Sequence, residues 1–186
     1  IKIAGAEAKH AMSVRRLQVG EAIAVSDGQG NKARGKVSQL SKDFLELDVE
    51  SLEKLERPTP KLVLVQALAK GDRDEMAVQA CTELGIQTVI PWQSERSVSI
   101  WKPEKQDKHR VRWQTIATEA AKQSLRPFIP VVEQVLGTRE LAERLKQFDL
   151  TLVLDPTSTT ALTGISVAGH QSIAIVVGPE GGISPE

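Results

Sequence analysis

Four short stretches of this 186-residue chain carry side chains that could act on a ligand. The last is IAIVVGPEGGISPE (173–186), in which the apolar run Ile173 to Val177 meets Gly178, Pro179, Glu180, Gly181 and Gly182. Ligands of open α/β sheets bind beyond the carboxyl ends of the strands. Glycine there lets main-chain N–H and C=O groups approach a ligand with no Cβ in the way. No Gly-Lys-Ser/Thr follows, so this is not a phosphate-cradling P-loop, and the spacing is not G-x-G-x-x-G. The residues fit a ligand-contacting loop and a plain strand-to-helix turn about equally.

The second stretch, AKGDRDEMAVQACTELG, sets Lys70, Asp72 and Arg73 where a strand gives way to a helix. Charges at such a junction usually cap and solvate. The third, SERSVSI, puts Glu95, Arg96 and Ser97 after another strand, and the fourth, RWQTIATEAAKQSLRP, puts Glu119, Gln123, Ser124 and Arg126 at or beyond a helix end. If a parallel sheet gathers these loops at one edge, Arg73, Arg96 and Arg126 form an anion-reading cleft. Nearer the amino end, KHAMSVRRLQVGE clusters Lys9, His10, Arg15 and Arg16, either a nucleic-acid contact or a solvated helical face. KPEKQDKHRVRW (102–113) reads as a charged helix surface, with Trp113 in the core.

The totals narrow the classes. Twenty-four basic and 24 acidic residues cancel, which argues against blanket affinity for nucleic acid but leaves a local basic face open. One cysteine, Cys81, excludes an intrachain disulfide and suits a reducing cytoplasm; it reads as core. His10, His109 and His170 are too far apart in sequence to suggest a zinc site, so no metal is expected. No apolar run reaches a membrane span, and the amino end has no signal-peptide pattern.

The elements that must position these residues come in two textures. Residues 1–56 read as short strands joined by Asp27-Gly28 and Gly30-Asn31 turns, with Phe44, Leu45, Leu47 and Val49 on a half-buried strand, which predicts a small β-barrel or sandwich. ERPTPK then reads as a linker, assigned to 57–60. From 61 to 186 the near-continuous apolar runs KLVLVQALA, QTVIP, LTLVL and IAIVV alternate with amphipathic segments, predicting an α/β domain with a mainly parallel sheet. The first helix is expected to be capped by Asp72 with Glu75 reaching back, to bury Met76, Ala77, Ala80, Cys81 and Leu84, and to stop at Gly85. The second starts near Pro103 and buries Trp113, Ile116, Ala117, Ala120 and Ala121; the third is capped by Thr138, with Leu141, Leu145 and Phe148 inward.

Taken in order, EAKHAMSVRRLQVGE, VSDGQGN, KGDRDEMAVQACTELG, SERS, IATEAAKQSLRP, LVLDP and VVGPEGG resemble one family. The chain resembles a SPOUT-class (trefoil-knot) methyltransferase of the RsmE type, the 16S ribosomal RNA uridine N3-methyltransferases. The resemblance implies a PUA-like RNA-binding barrel followed by a SPOUT domain that binds S-adenosylmethionine, a homodimer with the active site near its interface, and the small ribosomal subunit as partner. It assigns Leu154, Asp155 and Pro156 together with Gly178, Pro179, Glu180, Gly181 and Gly182 to the cofactor. Lys9, His10, Arg15, Arg16, Lys70, Arg73, Arg96 and Gln123 are assigned to rRNA, Arg126 to stabilising the anionic base, and Glu119 to accepting its proton. The family pattern also includes a later segment of the form Leu-Gly-x-x-Val/Ile-Leu-Arg-x-Glu-Thr-Ala, supplying a third cofactor loop. These 186 residues do not contain it, so the expectation is a longer polypeptide. Rival readings are a non-catalytic RNA-binding protein that keeps the barrel and arginines, and an α/β enzyme acting on a small nucleotide.

Overall fold

The computed structural model describes residues 1–13 and 15–184. Val14, inside the basic amino-terminal stretch, and Pro185 and Glu186, at the end of the glycine-loop segment, lie outside them. The chain forms two compact units, Ile1–Glu56 and Arg57–Glu186.

In the first unit β1 (Lys2–Ala4), β2 (Ala22–Ser26), β3 (Asn31–Leu40) and β4 (Phe44–Lys54) form an antiparallel sheet in the order β1-β4-β3-β2, with α1 (Ala6–Ser13) beside it. Alternation decides the faces: Ala33 and Val37 on β3 and Leu45 and Leu47 on β4 are buried, and Leu17, Val37 and Leu45 centre a small core. The pattern does not run the length of β4. Val49 is exposed, contrary to expectation; it is the last residue of β4 before the irregularity at which pairing jumps from Gly35–Val49 to Arg34–Ser51. The turn before β3 is closed by Asp27, whose Oδ1 accepts N–H bonds from Gln29 at 2.7 Å and Asn31 at 3.1 Å. With the Asn31 side chain contributing most, these bonds hold the Asp27 carboxyl below its ordinary range.

The second unit is built on parallel strands: β5 (Lys61–Ala67), β6 (Thr88–Gln93), β7 (Val131–Val132), β9 (Leu150–Leu154) and β10 (Ser172–Val177), ordered β7-β6-β5-β10-β9, with β8 (Leu136–Gly137) also on β6. Both faces of the central strands β5, β6 and β10 are covered, which is why they read as continuous apolar runs. β9 reads the same way but lies at the sheet edge, so only Leu152 is buried and Val153 and Leu154 are exposed. Leu64 and Leu68 pack with Val78, Trp113 and Ala117 under α2 (Arg73–Leu84) and α3 (Gln106–Gln123), while Val63, Val65 and Ala174 pack with Leu141 of α4 (Thr138–Leu145).

Three helix details differ from the sequence reading. In α2 the buried residues are Asp74, Val78 and Thr82, whereas Met76 and Leu84 are 62% and 79% exposed and Ala80 is exposed too. The stripe is rotated because Asp74, not an apolar residue, anchors the first turn inward. Asp72 makes no side-chain cap bond; instead Asp74 Oδ1 and Oδ2 accept from Glu75 N at 2.8 Å and Ala69 N at 3.1 Å, and Glu75 pairs with Arg112 of α3 at 2.5 Å. In α4 the cap is Gly137, whose N–H donates to Glu140 Oε2 at 3.0 Å, and Thr138 Oγ1 accepts instead from Trp92 Nε1 at 3.3 Å. Gly85 does end α2, in a left-handed conformation at φ +101°.

Candidate active site

The carboxyl edge of the parallel sheet gathers the loops that follow β5, β6, β9 and β10. After β5, Leu68 N donates to Trp92 O, and the chain turns at Gly71, φ +79°, into α2. The Glu180 carboxylate crosses from the β10 loop to this turn: Oε1 accepts from Lys70 N at 3.1 Å and Arg73 Nη1 at 3.3 Å. Backbone N–H groups, its own first and that of Lys70 next, with the Arg73 guanidinium adding to them, hold the Glu180 carboxyl below its ordinary range. A cavity of about 550 Å³ opens here, lined by Lys70, Gly71, Asp72, Arg73, Val98 and Glu180.

The glycine loop is folded tightly against the β6 loop. A Cβ on Gly181 would lie 3.2 Å from Arg96 O, and one on Gly178 would lie 2.8 Å from Ile183 Cγ1. Gly182 sits at φ +75°, and its N–H donates to Pro179 O at 2.9 Å. Arg96 Nη1 reaches the Gly181 carbonyl at 3.4 Å and that of Ile183 at 3.5 Å, so this arginine secures the loop. Beside it, Val177 of β10 is paired with Leu154 of β9, and the chains leave the sheet side by side as Gly178 and Asp155. Asp155 Oδ1 accepts from Thr157 Oγ1 at 2.7 Å and Thr157 N at 2.8 Å, which closes the β9 turn and keeps Asp155 and Pro156 exposed. The side-chain bond first, and the backbone bond second, hold Asp155 in its charged form below the ordinary range.

Not all the expected residues converge. Arg73 and Arg96 both meet the glycine loop segment; Arg126 does not. Its Nε and Nη2 donate to Glu83 O at 2.8 and 2.6 Å, and its guanidinium lies against Gly85, at the end of α2 opposite Arg73. Twelve residues of helix separate those ends, about 18 Å at 1.5 Å per residue. A helix that follows a strand in a parallel sheet runs back beside it, so the carboxyl end of α3 delivers Gln123 and Arg126 to the amino edge of the sheet. Gln123 is exposed on the last turn of α3, and Glu119 is exposed and ion-paired with Lys122 at 2.9 Å. The three-arginine cleft of the sequence reading is therefore a two-arginine cleft within one chain.

In the first unit Lys9, His10, Arg15 and Arg16 are exposed at the end of α1. Arg15 N donates to His10 O and Leu17 N to Ala11 O, with Arg16 left-handed at φ +50° between them. Among the described residues no group of three His, Cys, Asp or Glu could hold a metal ion, and no helix is long and apolar enough to cross a membrane.

Asp74 is the residue that sequence reasoning missed. Asp72, Asp74 and Glu75 all stand near this helix start, and nothing in the residue types says which of the three is buried; only its contacts single Asp74 out. It holds the Lys70–Arg73 turn through Ala69, and burial pushes its carboxyl up despite those two bonds. A raised folded-state value means its contribution to stability is greatest below the unfolded-state value and is lost as pH rises through the folded one. Asp74→Asn removes this titration. The difference in urea-unfolding free energy between variant and wild type is thus expected to change with pH just above the ordinary aspartate range. A difference constant across that range would show that Asp74 is not desolvated.

A model of an RNA methyltransferase domain matches residues 56–186, and one of an RNA methyltransferase PUA domain matches residues 3–50. The chain is 37% identical over 186 residues to ribosomal RNA small subunit methyltransferase E of Mycobacterium tuberculosis, covering 98% of this chain and 71% of that protein. It is 35% identical over 190 residues to the Bacillus subtilis protein of the same name, covering 98% and 74%. Among solved structures, that of a ribosomal RNA small subunit methyltransferase E from Neisseria gonorrhoeae, bound to S-adenosyl methionine, superposes with a TM-score of 0.84 at 26% identity, covering 100% of this chain and 76% of that one.

Proposed function

The chain belongs to the small-subunit ribosomal RNA methyltransferase E family, with its PUA and SPOUT-type α/β units, and from that premise we propose that it methylates N3 of a uridine in 16S rRNA. The observation that carries this reading is one juxtaposition: two loops built to offer backbone, after β9 and β10, stand beside a cavity flanked by Lys70 and Arg73. Gly178, Pro179, Glu180, Gly181 and Gly182, with Leu154, Asp155 and Pro156, are the residues that would hold S-adenosylmethionine. They fit it, because adenine edges and an amino-acid moiety can be recognised by main-chain groups where no Cβ intrudes. When bound, the cofactor supplies an electrophilic methyl group.

This chain's own part is positioning and charge. The Lys70–Arg73 cavity receives the target base, and these cations stabilise negative charge as the weakly acidic N3–H gives up its proton, which Glu119 of a second copy accepts. Glu180, charged and bonded to Lys70 N and Arg73, is a poor proton acceptor and serves to join the two loops. Arg96 orients the glycine loop and lies at the edge of the RNA path. Lys9, His10, Arg15 and Arg16 of the PUA unit dock rRNA phosphates. Binding of small ribosomal subunits sets the protein's work in the cytoplasm, and no metal takes part.

Glu119, Gln123 and Arg126 act in a homodimer, where a second copy brings this end of the helical layer to the site. Beside Arg126 stand Leu84 and Leu125, 79% and 86% exposed, and Met76 is 62% exposed on the same helix as Leu84; side chains of this kind support an apolar contact between copies. Arg126→Ala is expected to lower methylation of small subunits at least tenfold while leaving S-adenosylmethionine affinity within about twofold, a loss of about 1.4 kcal/mol or more in transition-state stabilisation. Equal loss of both would reduce Arg126 to a cap on α2.

The function itself is tested by calorimetry with S-adenosylmethionine and by nucleoside mass spectrometry of unmodified small subunits after incubation. The expected result is a saturable heat and one added methyl on uridine N3. RNA binding without cofactor heat would make the protein a non-catalytic RNA binder instead.

A further inference from the structure

The loop between β6 and α3 is firmly anchored yet presents two large apolar side chains to solvent. Ser94 and Ser97 are buried, their hydroxyls 3.2 Å apart, and Ser97 N donates to Ser94 O at 3.1 Å. At the other end Trp101 is buried, stacks on His109 at 5.2 Å, meets Trp113 edge-on at 5.0 Å, and donates its backbone N–H to Gln93 Oε1 at 2.8 Å. Between these anchors Val98 is 69% and Ile100 is 64% exposed. Fraying does not account for the exposure, since the loop is tied on both sides of each residue.

Each of the two residues borders a cavity. Val98 lines the Lys70–Arg73 cavity assigned above to the target base. Ile100 lines a second cavity, also about 550 Å³, with Gln93, Ser94, Glu95, Thr138 and Arg139. Neither the Arg139 nor the Glu95 side chain has a hydrogen bond or ion pair among the described residues, and both are exposed; Glu140 on the same rim is already committed to Gly137 N. The second cavity thus offers an exposed aliphatic side chain, an acceptor side chain with no partner and a cation side chain with no partner.

We infer that this second cavity is a subsite for an unpaired nucleotide next to the target uridine, a reading that rests on the function proposed above. The base lies on Ile100, its Watson–Crick-edge donors face Glu95, and its phosphate meets Arg139. Single-stranded RNA is read by splaying bases onto side chains, most often aromatic rings or Arg planes, and hydrogen-bonding their exposed edges; here the aliphatic Ile100 takes the place of the ring. Two residues of chain span at most about 7 Å, so Val98 and Ile100 act as a divider between adjacent unstacked bases. Such a subsite would let the enzyme hold the strand on one side of the target while the first cavity holds the target itself.

Ile100→Ala and Arg139→Ala change exposed side chains and leave the fold's anchors in place. In steady-state methylation each is expected to raise KM for small ribosomal subunits five- to twentyfold, with kcat and cofactor affinity within twofold, and Arg139→Lys is expected to recover most of the loss. Fluorescence anisotropy with a short single-stranded oligoribonucleotide is expected to show the same ranking. Unchanged KM and unchanged oligonucleotide affinity in both alanine variants would overturn the subsite. A parallel loss of S-adenosylmethionine affinity would overturn it too, by giving the cavity to the cofactor. A wild-type protein that transfers no methyl group defeats the proposed function alone; the oligonucleotide ranking still decides the subsite.

Discussion

Gly35→Ala is expected to destabilise the amino-terminal unit by about 3 kcal/mol or more, the size reached when a well-packed interior is overfilled and backbone has to move. A Cβ at Gly35 would lie 2.0 Å from Asp48 O and 3.0 Å from Val49 Cα, both main-chain atoms of the paired strand. No rotamer change can relieve that contact. The position is also where the β3–β4 register shifts, Arg34 pairing with Ser51 and Gly35 with Val49, so Glu50 is left out of the pairing. Moving β4 away would break the ladder that carries Leu45 and Leu47 into the small core. A unit of 56 residues has a total stability of only about 3–8 kcal/mol by the usual per-residue range, so the substitution removes much of it. Urea unfolding followed by hydrogen exchange of β3 and β4 amides checks this. A midpoint equal to wild type would mean that the two strands separate at little cost, and the tight contact would then not define the unit.

The second large effect is on ligand binding. Gly181→Val is expected to weaken S-adenosylmethionine at least a hundredfold, about 2.7 kcal/mol, with little change in thermal unfolding of the protein without ligand. The reason is local: even a single Cβ there meets Arg96 O at 3.2 Å and Arg96 Cβ at 3.3 Å, and valine adds two methyl groups. The loop must then leave Arg96, whose Nη1 holds the carbonyls of Gly181 and Ile183, and the backbone offered to the cofactor moves with it. Arg96→Ala loses the same bonds without adding bulk and is expected to fall between wild type and Gly181→Val. Calorimetry on the three proteins gives the order. If the valine variant binds like wild type, the glycine loop is a turn and not a cofactor loop.

Much of the second unit was legible in the residues. Continuous apolar runs suit strands covered on both faces, so β5, β6 and β10 and their parallel pairing follow from composition and rhythm, whereas the equally apolar β9 lies at the edge with Val153 and Leu154 exposed. The inward stripe of α3 was legible for the same reason, with Trp113, Ala117, Ala120 and Ala121 spaced by the helical repeat. In α2 the same method failed, because Asp74 takes an inward position that periodicity reserves for apolar residues and so shifts the face by one or two positions.

The candidate site divides in the same way. The ordered motifs already pointed to one enzyme family, while the strand order that sets Gly178–Gly182 beside Leu154–Pro156 came only with the sheet. Residue types by themselves determined the kind of chemistry available here: glycines that expose backbone, cations that favour an anion, and a charge balance without blanket affinity for nucleic acid. Only the tertiary structure decided which of these groups meet. It joined Glu180 to Lys70 and Arg73, set Arg96 on the glycine carbonyls and carried Arg126 to the far end of α2. The physical reason is that spacing along a chain reports local geometry, whereas contacts between residues 85 to 110 positions apart depend on strand order and helix direction together.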